Sequence, residues 1–273
     1  METFTPQLLK GRVAFIAGGS SGLNLGIAHG LAEAGATVAL ISRRIDKVEA
    51  AVAELRAAGH DAMGSAADVR DYPAVEQALR SVHDVKGPID IVVSGAAGNF
   101  LAPAIGMSPN AFKAVIDIDL MGTFHVLRAS YEFLRKPGAS VISITAGQAV
   151  NPTLLQSHAC AAKAGINMLT KCLAMEWGAV GVRVNAISPG PIRDTEGMAR
   201  LAPNAESEAA VKRLIPLGDY GEKRDIADLA VFLCSDSAKF ITGAILDCDG
   251  GFSLPGSGAL GPAPTPERTP RST

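Results

Sequence analysis

The sequence predicts one α/β domain, a parallel sheet of about seven strands covered by helices on both faces. Three observations predict it. Short apolar, β-branched runs alternate along the chain with longer alanine-rich stretches of helical period. The short runs are almost continuously apolar, as strands buried on both faces are. The first run feeds a glycine-rich turn that opens a helix, the arrangement of a doubly wound, Rossmann-type domain.

In order, 12–17 reads as a strand and 23–34 as a helix. Strand 37–42, helix 45–58 and a weaker strand 60–66 follow. Segment 73–85 is a helix with Pro73 in its first turn, where the missing N–H does no harm. Segment 89–94 is the fourth strand and 110–134 one long helix. Strand 140–145, a second long helix 156–178 and strand 182–187 come next. Helix 225–234 and strand 244–248 complete the pattern. No change of composition marks a linker inside 10–253, so the domain is assigned to 1–253. Proline and glycine dominate from Leu254 onward, and 254–273 is expected to be a mobile tail.

Bulk properties narrow the function. At 273 residues and 48% hydrophobic, one core can bury about three quarters of the unfolded surface. A net charge of -2 without a basic face argues against nucleic acid. Cys160, Cys172, Cys234 and Cys248 form no C-x-x-C pair and no cluster with histidine, so no metal site is expected, only reduced thiols. No apolar run has the length and bulk of a membrane span, and the first twelve residues lack a signal peptide's layout. Arg271-Ser272-Thr273 is not a peroxisomal address of the S-K-L type. Together these give the expectation of a cytoplasmic protein.

Strand 12–17 runs into Gly18-Gly19-Ser20-Ser21-Gly22-Leu23, at the start of the first helix. Glycines there let backbone approach a pyrophosphate, and the helix N-terminus offers free N–H groups. The second strand ends in Ser42-Arg43-Arg44, where an enzyme that uses NAD usually places an acid for the ribose 2′-hydroxyl. Arginines there suit a 2′-phosphate instead. One charge-assisted hydrogen bond, about 1.5–3 kcal/mol, gives at least about tenfold preference. NADPH is the expected cofactor.

The series 18–26, Asp68-Val69, 94–98, Lys163, Asn185 and Ser188-Pro189-Gly190 resembles the short-chain dehydrogenases/reductases over roughly 10–253. Within that family, Gly95-Ala96-Ala97-Gly98-Asn99-Phe100, Asp117-Ile118-Asp119, Gly122-Thr123-Phe124, Glu176-Trp177-Gly178, Pro189-Gly190-Pro191-Ile192 and Thr195-Glu196-Gly197 look like 2,4-dienoyl-CoA reductases of the peroxisomal type. The resemblance implies cofactor contacts at 18–23, Arg43, Arg44, Asp68, Val69, Ala96 and Lys163. It extends them to Pro189, Gly190, Pro191, Ile192 and Thr195. It implies acyl-CoA contacts at Arg70, Phe100, Ser108, Asn110 and Arg200, a role in fatty acid metabolism, and a homotetramer built partly from the two long helices. Asn24 departs from the family, whose loop carries a third glycine there.

The missing groups define the chemistry. The family's tyrosine, four residues before the lysine, is Ala159 here, its serine is Ala146 and its asparagine is Asp119; only Lys163 remains. Reduction of a ketone creates a localised alkoxide that needs a proton as it forms, and losing a positioned acid costs roughly 10²–10⁴-fold. Addition to the far end of a conjugated dienoyl thioester spreads the charge into a dienolate, whose oxygen hydrogen-bond donors can hold. The resemblance implies an Asp and a Lys in the tyrosine's stead, so Lys163 and Asp119 are the catalytic candidates. Lys163 holds the nicotinamide ribose and lends positive charge; Asp119 positions a proton-donating water or orients Lys163. His158, about 140° around the helix from Lys163, reads as a structural or substrate-rim residue. Two alternatives stay open: a reductase of another carbonyl or 3-oxoacyl thioester, and a nucleotide-binding sensor without catalysis.

Overall fold

The computed structural model describes residues 4–254, apart from the side chains of Glu196, Arg200 and Leu201. The predicted tail at 255–273 lies outside the described residues. Seven parallel strands form one sheet: β1 (Val13–Ala17), β2 (Thr37–Ser42), β3 (Ala62–Ala66), β4 (Ile91–Ser94), β5 (Ser140–Ile144), β6 (Arg183–Pro189) and β7 (Ile245–Cys248). Their order is β3-β2-β1-β4-β5-β6-β7. It reverses between β1 and β4, which opens a crevice at the carboxyl ends of those strands.

The helices are α1 (Gly22–Glu33), α2 (Ile45–Ala57), α3 (Tyr72–Lys86), α4 (Pro109–Val115), α5 (Gly122–Ser130), α6 (Ser157–Trp177), α7 (Glu196–Leu201), α8 (Ala205–Leu214) and α9 (Lys223–Cys234). Alternate residues of β1 feed two cores. Ala14 and Ile16 join Leu40, Ile27, Leu31 and Ile226 beneath α1, α2 and α9. Val13, Phe15 and Ala17 join Val75, Leu79, Val126, Leu173 and Trp177 beneath α3, α5 and α6. Both faces are covered, which is why every residue of β1 and β5 is buried.

Two differences from the sequence reading bear on the site. The helix expected at 110–134 is not continuous: α4 passes through a π-helical turn, Ile116–Met121, into α5, and a 3₁₀ turn, Tyr131–Phe133, ends it. A π turn carries one extra residue per turn and rotates the side chains beyond it. The close fit of this turn is set by glycine: a Cβ on Gly165 would meet Leu120 Cδ2 at 2.8 Å, and one on Gly122 would meet Val69 Cγ2 at 2.6 Å. Two short helices, α7 and α8, also stand where the sequence reading assigns none. They are short and lie apart from the two main cores, and Met198, Val211 and Ile215 make a satellite cluster of their own.

Candidate active site

The phosphate side is built at the carboxyl ends of β1, β2, β3 and β4. Gly18 sits at φ +77, and a Cβ there would meet the Ala96 backbone at 2.9 Å. Its N–H and that of Gly19 donate to Ile41 O at 2.9 and 3.3 Å, tying the turn to β2. Ser21 precedes α1 without capping it, and α1 has no acid in its first turn, so its leading N–H groups face the crevice as an uncompensated positive end. A cleft of about 300 Å³ is lined by Gly18, Ser20, Ser21, Asn24, Arg43, Arg44, Lys47, Asp68, Val69 and Ala96 among others. This glycine cradle, open helix end and basic rim fit a dinucleotide. Gly19 is instead closed against Leu40 and Ile16, and Leu23 packs on the first core.

The basic groups are not equivalent. Arg44 is bound to Asp46, which pushes its guanidinium further toward the charged form and holds the Asp46 carboxyl below its usual range. Arg70 grips Asp68 through Nε at 3.0 Å and Nη2 at 2.5 Å, and this pairing holds the Asp68 carboxyl below its usual range. One predicted cofactor residue and one predicted acyl-CoA residue are thus joined. Arg43 lines the cleft, exposed, and its charge helps to hold the Asp68 carboxyl below its usual range, while its guanidinium is open to a ligand. Lys47, which the sequence reading missed, also lines the cleft. Its signal is its place in the first turn of α2, just after Arg43 and Arg44.

Asn24 replaces a glycine without breaking the loop. Its Nδ2 donates to Gly95 O at 2.8 Å and to Gly18 O at 3.4 Å. A Cβ on Gly95 would collide with the Asn24 amide, so glycine at 95 makes the room that glycine at 24 would otherwise give.

The reaction side is buried. Asp119 and Lys163 are 1% and 9% exposed. Lys163 Nζ lies 3.1 Å from Asp119 Oδ2 and donates to Ile144 O at 3.2 Å. Asp119 Oδ1 accepts from Gly98 N–H at 2.7 Å. The π turn brings Asp119 to α6, and Gly165 lets Leu120 lie close enough for the pair to form. An ammonium has three donors, so at least one remains for a ribose hydroxyl or water. Ala159 is buried and Ala146 half-buried, and neither offers a hydroxyl.

The loop after β4 is anchored residue by residue. Gly98 holds Asp119, Asn99 Nδ2 donates to Gln156 Oε1 at 2.7 Å, and Phe100 lies on the His158 ring with centroids 4.3 Å apart. Leu101, Ile105, Leu154 and Leu155 expose an apolar rim, and Ala102 N–H donates to Leu155 O across it. Ser108 caps α4 through Ala111 N–H, and Asn110 is exposed in that first turn. Pro189, Gly190, Pro191 and Ile192 form the turn after β6, closed by Gly190 N–H to Cys248 O and Gly221 N–H to Pro191 O, both 3.0 Å. Thr195 donates to Ile192 O and caps α7. The side chain of Arg200 lies outside the described residues. Among the described residues no His, Cys, Asp or Glu cluster could hold a metal, and no helix is long and apolar enough to cross a membrane.

Comparison with known proteins gives a consistent set. Residues 17–253 match the family model described as enoyl-(acyl carrier protein) reductase. A peroxisomal 2,4-dienoyl-CoA reductase, (3E)-enoyl-CoA-producing, from Pongo abelii is 42% identical, over 91% of this chain and 86% of the relative. One so named from Arabidopsis thaliana is 39% identical, over 92% and 87%. A short-chain type dehydrogenase/reductase from Mycobacterium ulcerans superposes with a TM-score of 0.86 at 32% identity, over 90% of this chain and 91% of that one. A gluconate 5-dehydrogenase from Burkholderia cenocepacia, solved with NADP and tartrate, gives 0.86 at 29%, over 92% and 99%. The expectation of a cytoplasmic protein is corrected by these matches, because the two 2,4-dienoyl-CoA reductases just named, each aligned over nine-tenths of this chain, are called peroxisomal.

Proposed function

The chain belongs to the short-chain dehydrogenase/reductase family, as an oxidoreductase of its enoyl reductase branch, and from that premise we propose that it reduces 2,4-dienoyl-CoA with NADPH. The observation that carries this reading is the buried Asp119–Lys163 pair, with alanine at 146 and 159. When bound, the nicotinamide would supply a hydride to C5 of the dienoyl thioester, leaving a dienolate that takes a proton at C2 to give a 3-enoyl thioester.

Lys163 holds the ribose and sets a positive charge beside the reacting carbons. Asp119 fixes that ammonium: one oxygen faces Nζ, and the other is fixed by Gly98 N–H. The carboxylate also orients the water that carries the proton, since no side-chain hydroxyl stands at 146 or 159. Arg43, with Arg44 and Lys47, holds the 2′-phosphate. Gly18, Ser20, Ser21, Gly22, Ala96 and the turn 189–195 hold the rest of the cofactor. Arg70, Phe100, Ser108, Asn110 and Arg200 take the acyl-CoA, and the apolar rim of Leu101, Ile105 and Leu154 suits an acyl chain. The exposed Phe124, Met168 and Met175 on α5 and α6 support a homotetramer.

The test follows NADPH absorbance with 2,4-hexadienoyl-CoA, with acetoacetyl-CoA and with no thioester. Oxidation with the dienoyl thioester alone is expected. Oxidation with the ketone alone replaces this reading by a carbonyl reductase, and oxidation with neither replaces it by a sensor.

A further inference from the structure

We infer that His158 donates the hydrogen bond that holds the thioester oxygen of the substrate; the inference rests on the dienoyl reductase reading above. His158 is fully buried, and both Nδ1 and Nε2 lack a partner among the described residues. A buried imidazole nitrogen left unpaired is costly, and buried polar groups are therefore paired in the working state. His125 shows the ordinary arrangement in this fold, its Nδ1 placed 2.9 Å from Val69 O. Among the described residues His158 has no such partner, which leaves its nitrogens for a bound molecule.

The position fits one particular atom of the substrate. The ring packs at a tilt against Phe100, which is 37% exposed and belongs to the loop whose Gly98 holds Asp119. Leu101, Leu154 and Leu155 stand exposed on the same two loops. Leu155 adopts φ 64, a conformation that a leucine keeps only where its surroundings impose it. The carbonyl oxygen of a dienoyl thioester lies on C1, four bonds from the C5 that Lys163 must serve. Its donor must therefore stand away from Lys163. His158 does so, five residues earlier and about 140° around α6. A neutral imidazole offers one N–H, which strengthens its bond as charge moves onto that oxygen.

The test compares wild type with His158→Phe and His158→Gln, reading turnover of 2,4-hexadienoyl-CoA, NADPH affinity by fluorescence, and thermal midpoint. His158→Phe is expected to lower kcat by about 10²–10³-fold, as loss of one such donor does. NADPH affinity should hold, and the midpoint should not fall, because an apolar ring replaces unpaired nitrogens. His158→Gln, which keeps an N–H donor, is expected to recover about tenfold of the loss. If His158→Phe binds no NADPH, having failed to fold, the Gln variant decides against Asn and Ala at the same position by the same order of rates. Wild-type turnover with an unchanged kcat in the variants overturns this inference alone. A lower midpoint with proportionate loss of NADPH binding assigns His158 a structural role and also overturns it. Wild type that ignores the dienoyl thioester overturns the function and this inference together.

Discussion

The phosphate side and the reaction side of the crevice use charge in opposite ways. On the phosphate side Arg43, Arg44 and Arg70 are exposed, and each position follows directly from the end of a strand. On the reaction side Asp119 and Lys163 are withdrawn from water, and they meet only because a π turn and two glycines bring distant elements together. Exposed charge needs little support and can be read from local sequence. Buried charge depends on the whole fold, and removing half of it exposes that dependence.

Lys163→Met should separate the two sides most strongly. It leaves Asp119 buried and unpaired, and a loss of about 3–5 kcal/mol in urea unfolding is expected. Turnover should fall by about 10²–10⁴-fold in the same protein. A stable Lys163→Met would mean that the pair is less buried in solution than its geometry here.

Gly95→Ala tests the seam between the sides. The new Cβ meets the Asn24 amide, and overpacking of this kind costs about 1–3 kcal/mol. Asn24→Gly in the same chain should return most of that stability, a coupling that urea midpoints of the double-mutant cycle would read. Additive losses would show that the two residues do not share the space.

Arg43→Gln should raise KM for NADPH by at least about tenfold and leave NADH unchanged. Arg44→Gln should do less, because Asp46 already occupies its guanidinium. Equal effects would remove the distinction between the free and the paired arginine.

The smallest effect concerns thiols. Burial pushes the Cys234 thiol up to about 12, so it stays protonated through the alkaline range. Iodoacetamide at mildly alkaline pH should label the exposed Cys172 and spare Cys234 in the folded protein, as peptide mass mapping would show.

Much of the fold was legible because its strands are buried on both faces and so are continuously apolar, as in β1 and β5. The phosphate loop, Arg43 and Arg44 were legible for the same local reason. The break at 116–121 was not, because a single π turn uses the same residue types as the α-helices on either side of it. The family resemblance implies Lys163 and Asp119, yet their contact depends on Gly165 and Leu120, which no periodicity marks. The angle from Lys163 gives His158 a structural or substrate-rim place. Its burial, with neither nitrogen paired by the described residues, emerges only when the loop after β4 is folded onto α6.

The central claim is that a site without a hydroxyl at 146 or 159 must delocalise the charge it creates. The most direct measurement traces label from NADPH deuterated at its transferring position into the product of 2,4-hexadienoyl-CoA, read by NMR. The account predicts deuterium at C5 and a solvent proton at C2. Transfer instead to the carbonyl carbon of a 3-oxoacyl thioester, with none to the dienoyl substrate, would contradict it.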